Sequence, residues 1–429
     1  MSEIVRLHQH NVNRGPLHEG ESGLPTLQPV SPKVRLIAFY LPQFHTFAEN
    51  DAWWGKGFTE WTNTSKAIPR FQGHYQPRLP ADLGFYDLSQ PEVLRKQAAL
   101  AKRAGIHGFC IHNYWFSGRT VMETPLEALL ADRSIDLPFC LNWANESWSR
   151  RWDGAEHDIL LAQEYAPGDA EAYAAYLLRA IADPRYIRID GRPLVMVYRP
   201  DAMPDAQNVM DIWRRCFLAA GEKEPYLVMV RSFGSSDPRP HGIEAAAVFP
   251  PHRPVPQLTN EKRWVKLYDR NYYGRPVRYE NVAADALAQQ SDDYLLFPGV
   301  VPNWDNEARK PGKGYSLFGS TPAAYGAWLE AACLQAMARE KADERIVFVN
   351  AWNEWAEGAY LEPDRHFGFA YLNETRRVID RLSGVGHAAQ SPAASSQMNE
   401  SSAFQTQRRF VHLLRNLPML VKHKYFKRA

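Results

Sequence analysis

From Val34 onward, short apolar runs rich in β-branched residues alternate with stretches of helical periodicity. The candidate strands are Arg35–Tyr40, Ile106–His112, Pro138–Trp143, Leu194–Tyr198, Tyr226–Val230, Ala245–Phe249, Leu295–Val301 and Ile346–Ala351. Most are almost continuously apolar, as strands covered on both faces must be. Between them a 3.6-residue period predicts helices at Pro91–Ala104, Met122–Ala131, Asp169–Ala182, Asp205–Leu218, Asn281–Gln290, Thr321–Ala342 and Leu372–Leu382. Pro91 in a first turn and Gly105 just past Ala104 are the expected punctuation of a helix. Only the stretch between the fifth and sixth strands lacks a full helical pattern. Eight strands alternating with helices predict an α/β fold, a closed parallel (β/α)8 barrel of the TIM type over residues 34–382.

The flanks differ in character. Residues 1–33 are polar, carry no apolar signal segment, and are expected to form a flexible leader. Residues 383–402, rich in Ser, Ala, Gln and Gly, read as a linker. In the tail, 403–429, Phe410, Val411, Leu413, Leu414 and Leu417 interleave with Arg408, Arg409 and Arg415, and Lys422, Lys424, Lys427 and Arg428 follow. Such a basic amphipathic end suits peripheral contact with the anionic inner membrane surface. A solvated or docked tail is an equal alternative.

Composition narrows the function classes. Fifty Lys and Arg against 48 Asp and Glu leave a formal charge of +2, spread through the chain, which gives no electrostatic case for nucleic acid. Cys110, Cys140, Cys216 and Cys333 form no ligand or disulfide spacing, and with the missing signal they point to the cytoplasm. No apolar run approaches the roughly 20 residues of a spanning helix. No phosphate-cradling loop or strand-to-GxGxxG turn is present, so no nucleotide cofactor is expected. The chain is unusually aromatic, with 13 Trp, 20 Tyr and 20 Phe. Most of these build a core, but aromatics beside Asn, Asp and Glu in loops suit sugars, whose C–H faces stack on rings while amides and acids hold the hydroxyls.

In a parallel barrel the chemistry gathers where strands end. The polar and aromatic clusters here do follow strands. Strand one runs into Tyr40, Gln43 and His45, with Trp54 beyond in a glycine-flanked loop. Strand two runs into His112, Asn113 and Tyr114, and strand three into Asn142, Trp143, Asn145, Glu146, Trp148 and Arg150. Strand six leads to His252, strand seven to Asn303, Trp304 and Asp305, and strand eight to Asn353, Glu354, Trp355 and Glu357. These are the candidate substrate-binding residues. The histidines lack short ligand spacing, so no metal is expected.

Glu354 and Glu357 are the candidate catalytic pair. Glycosidic chemistry needs one carboxyl to protonate the leaving oxygen and another to supply a nucleophile or base. Three positions apart, they would face opposite ways on a strand. A helical turn just past the strand end would bring both to one side, with carboxyls roughly 5–6 Å apart, the separation of retaining enzymes. Trp352 and Trp355 would desolvate at least one of them and keep it protonated near neutral pH. On spacing alone, two surface glutamates opening a helix are as good a reading.

Longer motifs carry a resemblance. Ala38–His45, Asn50–Asn63 with its Gly57-Phe-Thr-Glu-Trp61, Gly73–Pro77, Leu83–Leu88, Asn142–Gly154, Val301–Asn306 and Asn350–Pro363 resemble WbsX-like proteins. These are glycosyltransferases associated with O-antigen and other surface polysaccharides, and they are similar to glycoside hydrolase family ninety-nine, the endo-α-mannosidase and endo-mannanase group. The resemblance covers about Val34 to Leu382 and implies a (β/α)8 barrel acting on an oligo- or polysaccharide, lipid-linked in one version. The hydrolase family carries both catalytic carboxylates in Asn-Glu-Trp-x-Glu-Gly, matched here by Asn353–Gly358. By that likeness Glu354 would deprotonate the sugar 2-hydroxyl, giving a 1,2-anhydro intermediate. Glu357 would be acid, then base, at the leaving oxygen, with retention. His112-Asn113 departs from the Tyr-His of many relatives, so the subsite of strand two is open. A sugar-nucleotide-dependent transferase using the same cleft and a non-catalytic carbohydrate-binding barrel are the alternatives.

Overall fold

The computed structural model describes residues 2–24, 32–150, 155–232, 237–252 and 260–384. The linker beyond Gly384 and the basic tail at 403–429 lie outside the described residues.

The barrel strands are β1 (Arg35–Tyr40), β2 (Gly108–Phe116), β3 (Phe139–Trp143), β4 (Arg192–Val197), β5 (Tyr226–Arg231), β6 (Ala245–Val248), β7 in two pieces (Leu295–Phe297 and Gly299–Val300) and β8 (Ile346–Val349). All pair in parallel with their chain neighbours, and β8 returns to β1 with Arg35 opposite Ile346. Closure runs through the divided strand: its first piece pairs with β6 and its second with β8. Pro298, which has no N–H to donate, stands between the pieces. The parallel α/β barrel expected from the alternation is therefore the observed architecture.

A 9-residue α1 (Glu3–Asn11) precedes the barrel, and α2 (Pro91–Ala104), α3 (Thr124–Ala131), α4 (Asp169–Ile181), α5 (Ala206–Ala219), α6 (Tyr279–Ala288), α7 (Pro322–Met337) and α8 (Ala370–Ser383) clothe it. Between β5 and β6 the described residues form only a 3-10 turn, Arg239–His241, where no full helix was expected. The α7 helix has almost no polar face: Ala324, Tyr325, Trp328, Leu329, Ala332, Cys333 and Ala336 are all buried, so it lies between the barrel and α8 instead of on the surface.

The leader is more ordered than its polarity suggests. The Asn11 amide donates to His74 O and Gln76 O at 2.9 and 2.8 Å. Gly15 N donates to His366 O and Phe369 N to Glu19 O, stitching residues 15–19 to the loop after β8. Backbone and amide hydrogen bonds hold this segment where a hydrophobicity pattern has nothing to register.

Period-two alternation sorts the strand-end residues. Phe39, Phe249 and Phe348 meet inside the barrel, with His112 stacked on Phe39. Their neighbours point outward: Tyr40 Oη donates to Gln97 Oε1 of α2, and Asn113 bonds Tyr173 and Tyr176 of α4. Trp143 packs on Tyr173 and Trp213, against α4 and α5.

Candidate active site

The carboxyl ends of the strands surround a cleft of ≈ 620 Å³. Its wall carries Trp53, Trp54, Tyr114, Trp148, Trp304 and Tyr315, with His112, Tyr198 and His252 among them. Among the described residues no cluster of three or more His, Cys, Asp or Glu is arranged to hold a metal.

The segment after β8 forms a very small hairpin. Asn353–Glu354 pairs antiparallel with Ala359–Tyr360 around a 3-10 turn, Trp355–Glu357. In a 3-10 turn side chains three apart eclipse, so Glu354 and Glu357 come to one side. Gly358 closes the turn at φ 63°, and a Cβ there would meet Arg78 Nε at 2.8 Å and Asp305 N at 3.0 Å, so only glycine fits. Asn353 pins the hairpin to the end of β1, accepting from Leu41 N at 2.8 Å and donating to Leu41 O at 2.9 Å. Trp355 stacks on Tyr360 at 3.8 Å, and its Nε1 donates to the buried Glu362 at 2.6 Å.

Both glutamates converge on Arg309. Its Nη1 lies 2.5 Å from Glu357 Oε1, and its Nη2 lies 3.2 Å from Glu354 Oε2. A third carboxylate, Glu60, takes the remaining side of the guanidinium, with Nε and Nη2 at 2.8 and 2.5 Å. Glu357 lines the cleft together with Arg309, and Glu354, 7% exposed, lies beside them on the same guanidinium. Burial raises Glu354 to about 8, Arg309 opposing and the charges of Glu357 and Glu60 adding to the rise. Burial also raises Glu357, again against Arg309. Burial and the Arg309 charge lower His112 to about 4 and His252 to about 3, so both imidazoles are neutral near pH 7. They can bond hydroxyls but cannot ferry protons there.

The expected site residues divide clearly. Gln43, Trp54, His112, Tyr114, Glu146, Trp148, His252, Trp304 and Glu357 line the cleft. Tyr40, Asn113 and Trp143 do not, because strand alternation turns them toward the helices. Asn142 lies behind His112, its amide 3.0 Å from Nδ1. Asn145 ties the β3 loop to Arg199, bonding its backbone N and O. His45 is buried beside Phe47, off the cleft wall. Asn303 caps Trp304 N, and Asp305 is a buried anchor, bonded to His74 at 2.6 Å and donating its N–H to Glu357 O at 2.6 Å. Asn353 and Trp355 support the hairpin, as above. The Arg150 side chain lies outside the described residues.

Sequence reading missed Glu60, Arg309 and Asn50. Asn50 lines the cleft at 1% exposure, and neither of its amide atoms has a partner among the described residues. Glu60 and Asn50 stand inside a quoted motif, but Arg309 lies in an unremarkable polar loop.

The family model for glycosyltransferase WbsX matches residues 36–375. The chain belongs to the WbsX glycosyltransferase family. Its curated relatives include an uncharacterized protein WxcX of Xanthomonas campestris pv. campestris strain B100, 45% identical over 369 residues. The same protein from strain ATCC 33913 is 46% identical over 359 residues. These matches take in 86% and 84% of this chain but 53% and 51% of the relatives, so the chain spans about half their length. Among solved structures, a GH99 endo-alpha-mannosidase from Bacteroides thetaiotaomicron in complex with BIS-TRIS-propane superposes with a TM-score of 0.50 at 16% identity, over 82% of this chain and 98% of that one. A glycoside hydrolase-like protein superposes with a TM-score of 0.50 at 15% identity, over 83% and 96%. At such identities the likeness is one of fold, and it agrees with the barrel described above. The family match and the shared barrel agree with one another.

Proposed function

We propose that this enzyme cleaves or transfers glycosyl units with retention of configuration, during assembly of a bacterial surface polysaccharide of the O-antigen type. The observation that carries the reading is the convergence of Glu354 and Glu357 on one arginine at the floor of an aromatic-lined cleft. Such rings bind the faces of sugars, and a pair of desolvated carboxyls sharing a proton supplies acid and base together.

In the first step Glu354 removes the proton of the sugar 2-hydroxyl as that oxygen attacks the anomeric carbon. Glu357 protonates the leaving oxygen as its bond breaks, giving a 1,2-anhydro sugar. In the second step Glu357 takes the proton of water or of an acceptor hydroxyl, which attacks the anomeric carbon from the original face. The epoxide C–O bond breaks and Glu354 returns the proton to the 2-oxygen. Two inversions leave net retention. The pair works with one proton between its two carboxyls, so activity should fall as the last proton leaves near pH 8 and again when both are protonated.

The donor is read as a glycan or a lipid-linked oligosaccharide in the cytoplasm, with the basic tail at the membrane surface. Among the described residues no helix is long and apolar enough to cross a membrane. The test is to incubate the protein with sugar nucleotides, and separately with fragments of the host polysaccharide and its lipid-linked precursors, and to follow products by mass spectrometry. Products from the glycan or lipid-linked donors are expected. Turnover of sugar nucleotides alone would overturn the donor assignment, and saccharide binding without any product would overturn the catalytic reading.

A further inference from the structure

Glu60 stands in the Gly57-Phe-Thr-Glu-Trp61 motif, which the reaction above leaves without a role. Its side chain is fully buried, and it meets Arg309 side-on through two hydrogen bonds of 2.8 and 2.5 Å. A charged pair of this fork-to-fork kind is geometrically rigid. The backbone beneath it is fastened as well: Trp61 Nε1 donates to Tyr86 O at 2.8 Å, and the indole packs on Trp355 at 5.5 Å. Glu60 and the hairpin bearing the two reactive glutamates are thus built onto one another.

The division of the guanidinium is informative. Glu60 occupies Nε and shares Nη2 with Glu354, while Nη1 alone reaches Glu357. Arg309 lies closer to Glu357 than to Glu354, 2.5 against 3.2 Å, and so favours the ionised form of Glu357, the reverse of what protonating a leaving group requires. Glu357 must lose the Nη1 contact and gain a proton before it acts as an acid. Without Glu60, the guanidinium would turn fully to the two reactive carboxylates and favour the anionic form of both. We propose that Glu60 is a positioning residue: it anchors Arg309 side-on, so that the arginine stays on Glu354 while its Nη1 arm releases Glu357 when substrate enters.

This inference rests on the two-carboxylate reading and deepens it. The other charged and titratable groups around the cluster are Lys310, whose charge acts on Glu357, the phenols of Tyr114 and Tyr198, and the neutral imidazoles of His112 and His252. Glu146, whose charge also acts on those two phenols, lines the same cleft and is paired with Arg199 at 2.8 Å. The charge of Glu60 also helps to raise both reactive glutamates, so its loss favours their ionised forms.

The test compares the full-length protein with Glu60→Gln and Glu60→Asp. In Glu60→Gln, kcat at pH 7 should fall about tenfold or more with little change in KM, and the alkaline limb should move down by about one pH unit or more. Glu60→Asp, which keeps the charge on a shorter arm, should keep the limb in place while losing part of kcat. An infrared measurement needs no substrate: at pH 7 the difference between the parent and Glu354→Gln should show the carbonyl stretch of a protonated carboxyl, and the same difference taken in the Glu60→Gln background should show it weakened by about half or more. Should Glu60→Gln not fold, Arg309→Lys, a cation that cannot hold three carboxylates at once, is expected to lower kcat while keeping the band, because Arg309 opposes protonation of both glutamates; parental kcat in that variant would overturn the proposal. In Glu60→Gln, an unmoved limb together with an unchanged band would overturn it as well. Full activity in Glu354→Gln would instead remove the reaction itself, a separate failure.

Discussion

Glu354 shows how a single side chain can be held against its own preference. It titrates near 8 in the folded protein, against 4.5 ordinarily. Between those values the folded chain holds a proton that the unfolded chain gives up. The contribution of this group to stability is therefore fully present below about pH 4.5 and is lost as pH rises through 8. Glu354→Gln, which removes the titration, should gain in Tm relative to the parent as pH is raised from 5 to 8, read by thermal unfolding; an advantage that stays level with pH would show that the site stores no such cost. Asn50 makes the same point without charge. A buried amide with no partner costs stability unless a ligand satisfies it. Asn50→Leu should hold or raise Tm while increasing KM about tenfold, and an unchanged KM would mean that Asn50 does not touch substrate.

At the scale of elements, the hairpin after β8 does most of the positioning. Gly358→Ala forces a Cβ against Arg78 and the Asp305 amide at a left-handed φ, a strain of about 1–3 kcal/mol. It should lower both Tm and kcat, and a variant unaffected in either would show that the turn relaxes freely. The strands and most helices were legible in the sequence because burial imposes periods of 2 and 3.6. Glu354 and Glu357 stood out because Asn353–Gly358 matches Asn-Glu-Trp-x-Glu-Gly, whereas their spacing alone suits a plain helix start equally well. What periodicity could not say was which way each strand-end residue points. Tyr40, Asn113 and Trp143 follow strands as closely as Gln43 or Tyr114, yet a one-residue step on a strand turns a side chain to the other face. Arg309 was invisible for another reason. Its role comes from three carboxylates, one of them 249 residues before it in the chain, and no local pattern encodes such a meeting.

At the scale of the whole molecule, the segment before the barrel and the segment after it should behave differently. Residues 2–24 are fastened to residues 74–76 through Asn11 and to the loop behind the β8 hairpin through Gly15 and Glu19, so deleting them should lower Tm by several degrees. Deleting residues 403–429 should leave turnover and Tm unchanged but abolish sedimentation with anionic vesicles, and undiminished sedimentation would remove the tail from membrane contact. The barrel itself holds the central claim, that two acids gathered over its mouth act on one sugar. The most direct measurement is the turnover of Glu354→Gln and Glu357→Gln on the donor identified by mass spectrometry, beside their unfolding curves. The account predicts a loss of roughly 10³-fold or more in each, with cooperative unfolding retained; parental turnover in either variant would contradict it.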